Sequence, residues 1–196
     1  MKNAVLTKSL KFISKYQVYS DEELERISYG LEGLYLTVTK LIVIIVLSLL
    51  LNMFREVVGI LILFNFIRYF GFGIHAKKSS ECLISSLLCF IVIPYCLLNI
   101  NLSREIIIII GIVCTTVFII YAPADTVKRP LKNPKKRMIR KIMTTLIGIV
   151  YIILSLMISN STISTLFIAS VIIEAVMINP ITYKILRQPY NNYKRI

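Results

Sequence analysis

Charge is scarce in this chain: charged residues make up 17% of 196 positions, and only ten of them are acidic. A soluble globular domain is roughly half apolar and a quarter charged, so 57% hydrophobic content at a mean hydropathy of +0.77 excludes that class. Histidine is rarer still, with His75 alone. A zinc site is poorly supported, because Cys82, Cys89, Cys96 and Cys114 lack the short Cys or His pair spacings of closed sites, and no metal or cofactor is expected. A disulfide set is not expected either. Three of the four cysteines fall inside apolar runs, where a thiol behaves as a small hydrophobe. Residues 1–33 are too polar for the hydrophobic core of a cleavable signal peptide, so the first spanning helix is expected to direct insertion. With no internal repeat and no low-complexity linker, one domain over residues 1–196 is expected.

What the chain does contain is long apolar runs. A spanning helix needs about 20 apolar residues to cross a hydrocarbon core of about 30 Å, and only helices or closed barrels satisfy their backbone there. Six runs can be read, at Leu34 to Met53, Val57 to Gly73, Leu83 to Ile100, Ile106 to Tyr121, Ile142 to Ser159 and Ile163 to Asn179. They lack the alternating polar residues of a porin strand. The expected fold is therefore all-α, a polytopic membrane bundle of about six transmembrane helices over residues 34–179, with an N-terminal amphipathic segment over 1–33 and a tail over 180–196.

A net charge of +13 raises the question of nucleic acid, and the distribution of the charge answers it. Five basic residues precede the first run, three lie in the break from Arg68 to Glu81, eight separate the fourth and fifth runs and four follow the sixth. The opposite connections carry only Arg55 and Arg104, which is the positive-inside pattern for an even number of helices. Both termini, the break and the basic stretch Lys128 to Lys141 are expected on the cytoplasmic side. The partner of these charges is anionic lipid rather than nucleic acid. At the N-terminus, Leu6, Leu10, Ile13 and Gln17 keep helical spacing with Lys8, Lys11 and Lys15 off that stripe, which suits a helix lying on an anionic surface. Ser20 and Glu23 form a capping-box pattern opening a second short helix.

The break itself carries the chemistry. A thiol is a strong nucleophile only as thiolate, and imidazole is the side chain best able to take its proton near neutral pH, so His75 beside Cys82 is a minimal cysteine-protease pair. Ser80 is a candidate N-cap, which puts Cys82 in the first turn of the next helix, where the dipole and Lys77 and Lys78 favour the thiolate. On one continuous helix, seven residues would separate the two groups by about 10.5 Å along the axis. A turn between them is required, and Gly71 and Gly73 supply backbone freedom for it. The ordinary alternatives are an interfacial histidine ending a helix and an inert boundary thiol.

The string Arg68-Tyr-Phe-Gly-Phe-Gly-Ile-His-Ala76 with Cys82 beyond it, and Tyr121-Ala-Pro-Ala-Asp-Thr126 followed by Pro130, resemble the accessory gene regulator B (AgrB) family over essentially the whole chain. The resemblance implies a membrane cysteine endopeptidase that processes a quorum-sensing propeptide, with His75 and Cys82 matching the family's catalytic residues. It implies an acyl-enzyme thioester on Cys82, attacked by an internal Cys or Ser of the precursor to release a thiolactone or lactone, and it suggests a homodimer. The chain departs from the family pattern where Phe72 separates two glycines that are usually adjacent.

Other residues are weaker candidates. Arg68, Asp125, Lys128 and Arg129 are candidate contacts to the propeptide, Asp125 with an equally simple reading as a turn or cap beside Pro123. Glu81, Ser80 and Asp125 are candidates for orienting His75, and Arg68 or Lys78 for supplementing an oxyanion hole of backbone N–H groups. Lys40 and Glu174, each within an apolar run, are candidates for an intramembrane pair. The rival class is a small exporter of a signalling peptide without proteolytic activity, which tolerates Cys82→Ser. A non-catalytic scaffold is the third.

Overall fold

The computed structural model describes residues 2–15, 19–74, 79–100, 102–126 and 130–194. They are helical with no strand among them, and they divide into two compact units, Met1–Val46 and Leu47–Ile196.

In the first unit, α1 (Lys2–Ser14) has Leu6, Leu10 and Ile13 half-buried and Lys8 and Lys11 exposed, the amphipathic pattern expected; Gln17 lies outside the described residues. The capping box forms as expected: Ser20 donates its N–H to Glu23 Oε2 at 2.9 Å, and Glu23 donates back to Ser20 Oγ at 3.4 Å. The element it opens is not a separate short helix. It is α2 (Asp21–Leu50), which runs unbroken into the first apolar run, because neither Gly30 nor Gly33 is followed by a residue that stops a helix.

The second unit contains α3 (Phe54–Gly71), α4 (Ser79–Leu87), a π-helical turn (Leu88–Val92) leading into α5 (Ile93–Leu98), α6 (Arg104–Tyr121), α7 (Pro134–Met157), α8 (Ser161–Ile178) and α9 (Pro180–Ile185). Among the described residues, five helical stretches are long and apolar enough to cross a membrane: α2, α4 through α5, α6, α7 and α8. The other expected run folds as α3, whose 18 residues include Arg55 and Glu56 at one end and Arg68 at the other. It is about 27 Å long, helical as expected but charged at both ends.

Helix starts follow side-chain caps. Ser103, Asn133, Asn160 and Asn179 each accept a backbone N–H from the first turn of α6, α7, α8 and α9. At Asn133 and Asn179 a proline occupies the next position, where its missing N–H costs nothing. In consequence α7 begins eight residues before Ile142, and most of the expected basic loop is its first two turns.

Helix α8 is apolar on all faces, as a central helix must be. Ile168, Ala169, Val171, Ile173 and Ile178 are fully buried, and the helix packs on α3, α5, α6 and α7. Small residues permit close approach between α6 and α7: a Cβ at Gly148 would stand 2.7 Å from Phe118 Cδ2, and one at Gly111 2.8 Å from Ile152 Cγ2. Ser155 and Ser164 exchange hydroxyl-to-carbonyl bonds of 3.0 and 2.6 Å where α7 meets α8. Outward faces carry Ile109, Ile112, Val113, Ile149 and Ile153, exposed as lipid-facing residues are.

Candidate active site

Helix α3 stops at Gly71, and three successive residues explain why. Gly71 is buried against α8, where a Cβ would overlap Oε1 of Glu174 and crowd Thr144 Cγ2 at 3.1 Å. Phe72 then turns the chain with φ +64° and Gly73 follows with φ +101°, a pair of left-handed conformations that ends the helix. For a phenylalanine this costs of order 1–3 kcal/mol, so the surroundings must hold it.

They do so from three sides. Gly73 donates to Ala124 O at 3.0 Å, Ala124 donates to Gly71 O at 3.0 Å, and Ile74 donates to Met177 O at 3.1 Å. Arg68 Nη2 reaches forward to Ile74 O at 2.9 Å. Arg140, from the basic first part of α7, donates to Tyr69 O at 2.6 Å and lays its guanidinium 4.3 Å from the Phe72 ring centroid. Both backbone groups of Ile74 are therefore engaged immediately before His75.

His75 lies outside the described residues, as do Lys128 and Arg129. The flanking structure is defined: helix α3 ends at Gly71, residues 72–74 are not helical, and Cys82 lies in α4 (Ser79–Leu87). Ser79 and Ser80 both lie inside α4, so Ser80 is not its N-cap, and Cys82 is the fourth residue of Ser79–Leu87, half-buried, with its carbonyl accepting from Ser86 Oγ at 2.8 Å. Glu81 is half-buried and Ser80 exposed on the same turn. Cys89 and Cys114 are buried, and Cys96 is exposed within the apolar stretch of α5. No group of metal-binding side chains occurs among the described residues.

Asp125 is 1% exposed. Its carboxylate accepts backbone N–H groups from Leu131 at 3.2 Å, Asn192 at 3.0 Å and Tyr193 at 2.8 Å, and Arg137 Nη1 stands 3.9 Å away. The Arg137 guanidinium also lies 3.4 Å from the Tyr193 ring centroid. Asp125 thus ties the C-terminal tail to the segment after α6, with its oxygens turned away from solvent. Tyr183 donates its hydroxyl to Ala124 O at 3.1 Å, and burial holds its phenol well above the ordinary range, so it remains a donor. Burial, and next the neighbouring Tyr121, push Tyr190 up to about 12.

Arg68 is turned inward rather than toward solvent. Its Nη1 is buried without a hydrogen-bond partner, and so are both oxygens of fully buried Glu174. Arg68 and Glu174 are not joined by a hydrogen bond. Lys40 belongs to the other unit. Arg140 and the Met177 carbonyl were invisible to sequence reasoning, and no local signal marks either.

The family model for accessory gene regulator B matches residues 6–178. An AgrB-like protein of Clostridium acetobutylicum is 30% identical over 196 residues, covering 98% of this chain and 94% of that protein. One from Listeria monocytogenes serovar 1/2a is 29% identical over 93% of this chain and 90% of its own length. The accessory gene regulator protein B of Staphylococcus saprophyticus is 29% identical over 85% of this chain and 90% of its own. No solved structure matches.

Proposed function

The chain belongs to the accessory gene regulator B family of quorum-sensing systems, and from that premise we propose that it is a membrane-embedded cysteine endopeptidase acting on an autoinducing-peptide precursor. The observation that carries this reading is the interruption between α3 and α4. The residue before the histidine is anchored through both of its backbone groups, and the cysteine lies in the helix that follows, α4.

In the proposed reaction the imidazole of His75 takes the thiol proton of Cys82, and the thiolate attacks the carbonyl carbon of the scissile peptide bond. As the tetrahedral intermediate collapses, the C–N bond breaks and the imidazolium returns its proton to the leaving amine. The N-terminal portion of the precursor remains as a thioester on Cys82. An internal Cys or Ser of the precursor then attacks that thioester, freeing the Cys82 thiol and closing a thiolactone or lactone. Thioester exchange needs little driving force, provided water is kept from the acyl group. The catalytic groups face the cytoplasm in this reading, since the basic residues concentrate on their side. Lys128 and Arg129, beside the exposed Lys132, Lys135 and Lys136, offer a surface for anionic lipid and for an acidic segment of the precursor. The active unit in this reading is a homodimer.

Co-expression with the precursor tests it. Cys82→Ala and His75→Ala each abolish cleavage while membrane insertion stays normal. Continued cleavage by Cys82→Ala refutes the mechanism, and secretion that tolerates Cys82→Ser without any cleavage would favour a peptide exporter.

A further inference from the structure

Glu174 is the one charged residue of α8, fully buried, and the proposed chemistry makes no use of it. Its carboxylate occupies the space left by the missing side chain of Gly71. One helical turn further along α8, the Met177 carbonyl accepts the Ile74 N–H. Across from it stands Arg68, whose other terminal nitrogen bonds Ile74 O; a Cβ at Gly73 would lie 3.3 Å from Arg68 Nη1 and 3.2 Å from Met177 O. Arginine stays charged in proteins and its buried Nη1 has no hydrogen-bond partner, so it requires an anion nearby. Asp125 is committed to the C-terminal tail and Arg137.

We propose that Glu174 is a positioning residue: its carboxylate, seated at Gly71 and not in hydrogen-bond contact with Arg68, supplies the anionic field that favours the Arg68 guanidinium in the orientation gripping the Ile74 carbonyl, and α8 thereby fixes residues 71–74, immediately before His75. The consequence for catalysis rests on the His75–Cys82 reading; the fixing of residues 71–74 does not. Glu174 touches neither substrate nor thiol in this arrangement. It acts through Arg68, and Gly71 is glycine because the carboxylate sits there.

Shape and charge make opposite demands, which allows a test on the full chain in lipid nanodiscs. Glu174→Gln keeps the shape and removes the charge, whereas Glu174→Asp keeps the charge and shortens the arm by one methylene. Hydrogen exchange is followed at the amides of Phe72, Gly73 and Ile74, with those of α6 as the internal reference. Protection at the three sites falls about tenfold or more in Glu174→Gln, the loss expected when a bond to a charged group fails, and is better retained in Glu174→Asp, with α6 unchanged. Wild-type protection in Glu174→Gln overturns the proposal, as does loss confined to Glu174→Asp or loss spread equally over α6. Should Glu174→Gln not accumulate, Arg68→Lys keeps the charge and removes the fork that reaches Ile74. The same local loss then supports the proposal, and full protection overturns it. Iodoacetamide alkylation of Cys82 separates the two layers. If His75→Ala slows labelling and Glu174→Gln slows it as well, with Cys96 labelled at an unchanged rate, the seat serves the catalytic pair. If His75→Ala labels like wild type while Glu174→Gln has lost its local protection, the catalytic reading falls and the seat stands.

Discussion

Replacing Asp125 by asparagine should free the C-terminal tail while leaving the membrane helices in place. The carboxylate takes three backbone N–H groups, those of Leu131 and Tyr193 on Oδ2 and that of Asn192 on Oδ1. An amide offers one oxygen. Whichever way it turns, at least one N–H faces an NH₂ group, and the bonds that survive lose their charge assistance. A hydrogen bond to a charged group contributes about 1.5–3 kcal/mol, and a neutral one about 1 kcal/mol, so one bond lost and others weakened should cost about 2–4 kcal/mol. Arg137 Nη1, 3.9 Å from this carboxylate, is buried without a hydrogen-bond partner, so removing the negative charge adds to the cost.

That cost should appear as tail opening rather than global unfolding, since residues 188–194 lie beyond α9 and are tied to the rest through Asp125, Arg137 and Tyr190. Trypsin cleavage after Arg187 in detergent-solubilised full-length protein is a suitable assay. Where reclosing outpaces cleavage, the rate follows the open population, and 2 kcal/mol corresponds to an acceleration of about thirtyfold. Cleavage after Arg26, in α2 of the other unit, serves as the control. Tail cleavage at the wild-type rate in Asp125→Asn, or equal acceleration at both sites, refutes the assignment of Asp125 as the tail's anchor.

Two further outcomes follow from the packing. Gly148→Ala forces a Cβ against Phe118 and should lower thermal stability by about 1–3 kcal/mol. Gly30→Ala, with open space around it in α2, should instead leave stability equal or raise it by about 0.5–1 kcal/mol, and the two melting curves should therefore move apart. In alkali the tail should come away with the tyrosines. Tyr183 and Tyr190 are both raised above the ordinary value of 10, Tyr190 to about 12, so the fold favours the neutral phenols. The sign is that of a raised group: the stabilisation is complete below pH 10 and is lost as pH climbs toward 12. Absorbance of tyrosinate and tail cleavage should rise together across that window, and tyrosinate forming near pH 10 without tail release would contradict it.

Much of this architecture was legible in the residues. Apolar runs located the helices because lipid leaves the backbone no other partner, and the Ser20–Glu23 box read correctly because capping is a local exchange of hydrogen bonds. The Asn-Pro pairs at 133 and 179 were equally local and would have placed the starts of α7 and α9 had they been weighed against the charge run. The break after Gly71 was legible as a polar interruption. Its construction was not, because the groups that build it are remote: Arg140 bonds Tyr69 across 71 residues, and Asp125 bonds Asn192 across 67. Periodicity carries no record of such pairings, and a lone glutamate in an apolar helix does not name its neighbour.

Where a local rule fails, the failure is informative. Phenylalanine at φ +64° is a poor choice for ending a helix, and a second glycine would relieve the strain. Here the ring is used instead, as a platform under Arg140, while Gly73 takes the next left-handed position and Ile74 is held at both its N–H and its C=O. A helix continued through this point would carry the histidine about 10.5 Å along the axis from the cysteine, beyond any hydrogen bond. Ending it abruptly and fastening Gly73 to Ala124 and Ile74 to α8 makes residues 73 and 74 a short, rigid seat. In the proposed mechanism the general base must be held within about 0.5 Å of its productive position, which such a seat before it would favour. The strain at Phe72 is therefore spent where rigidity is most useful.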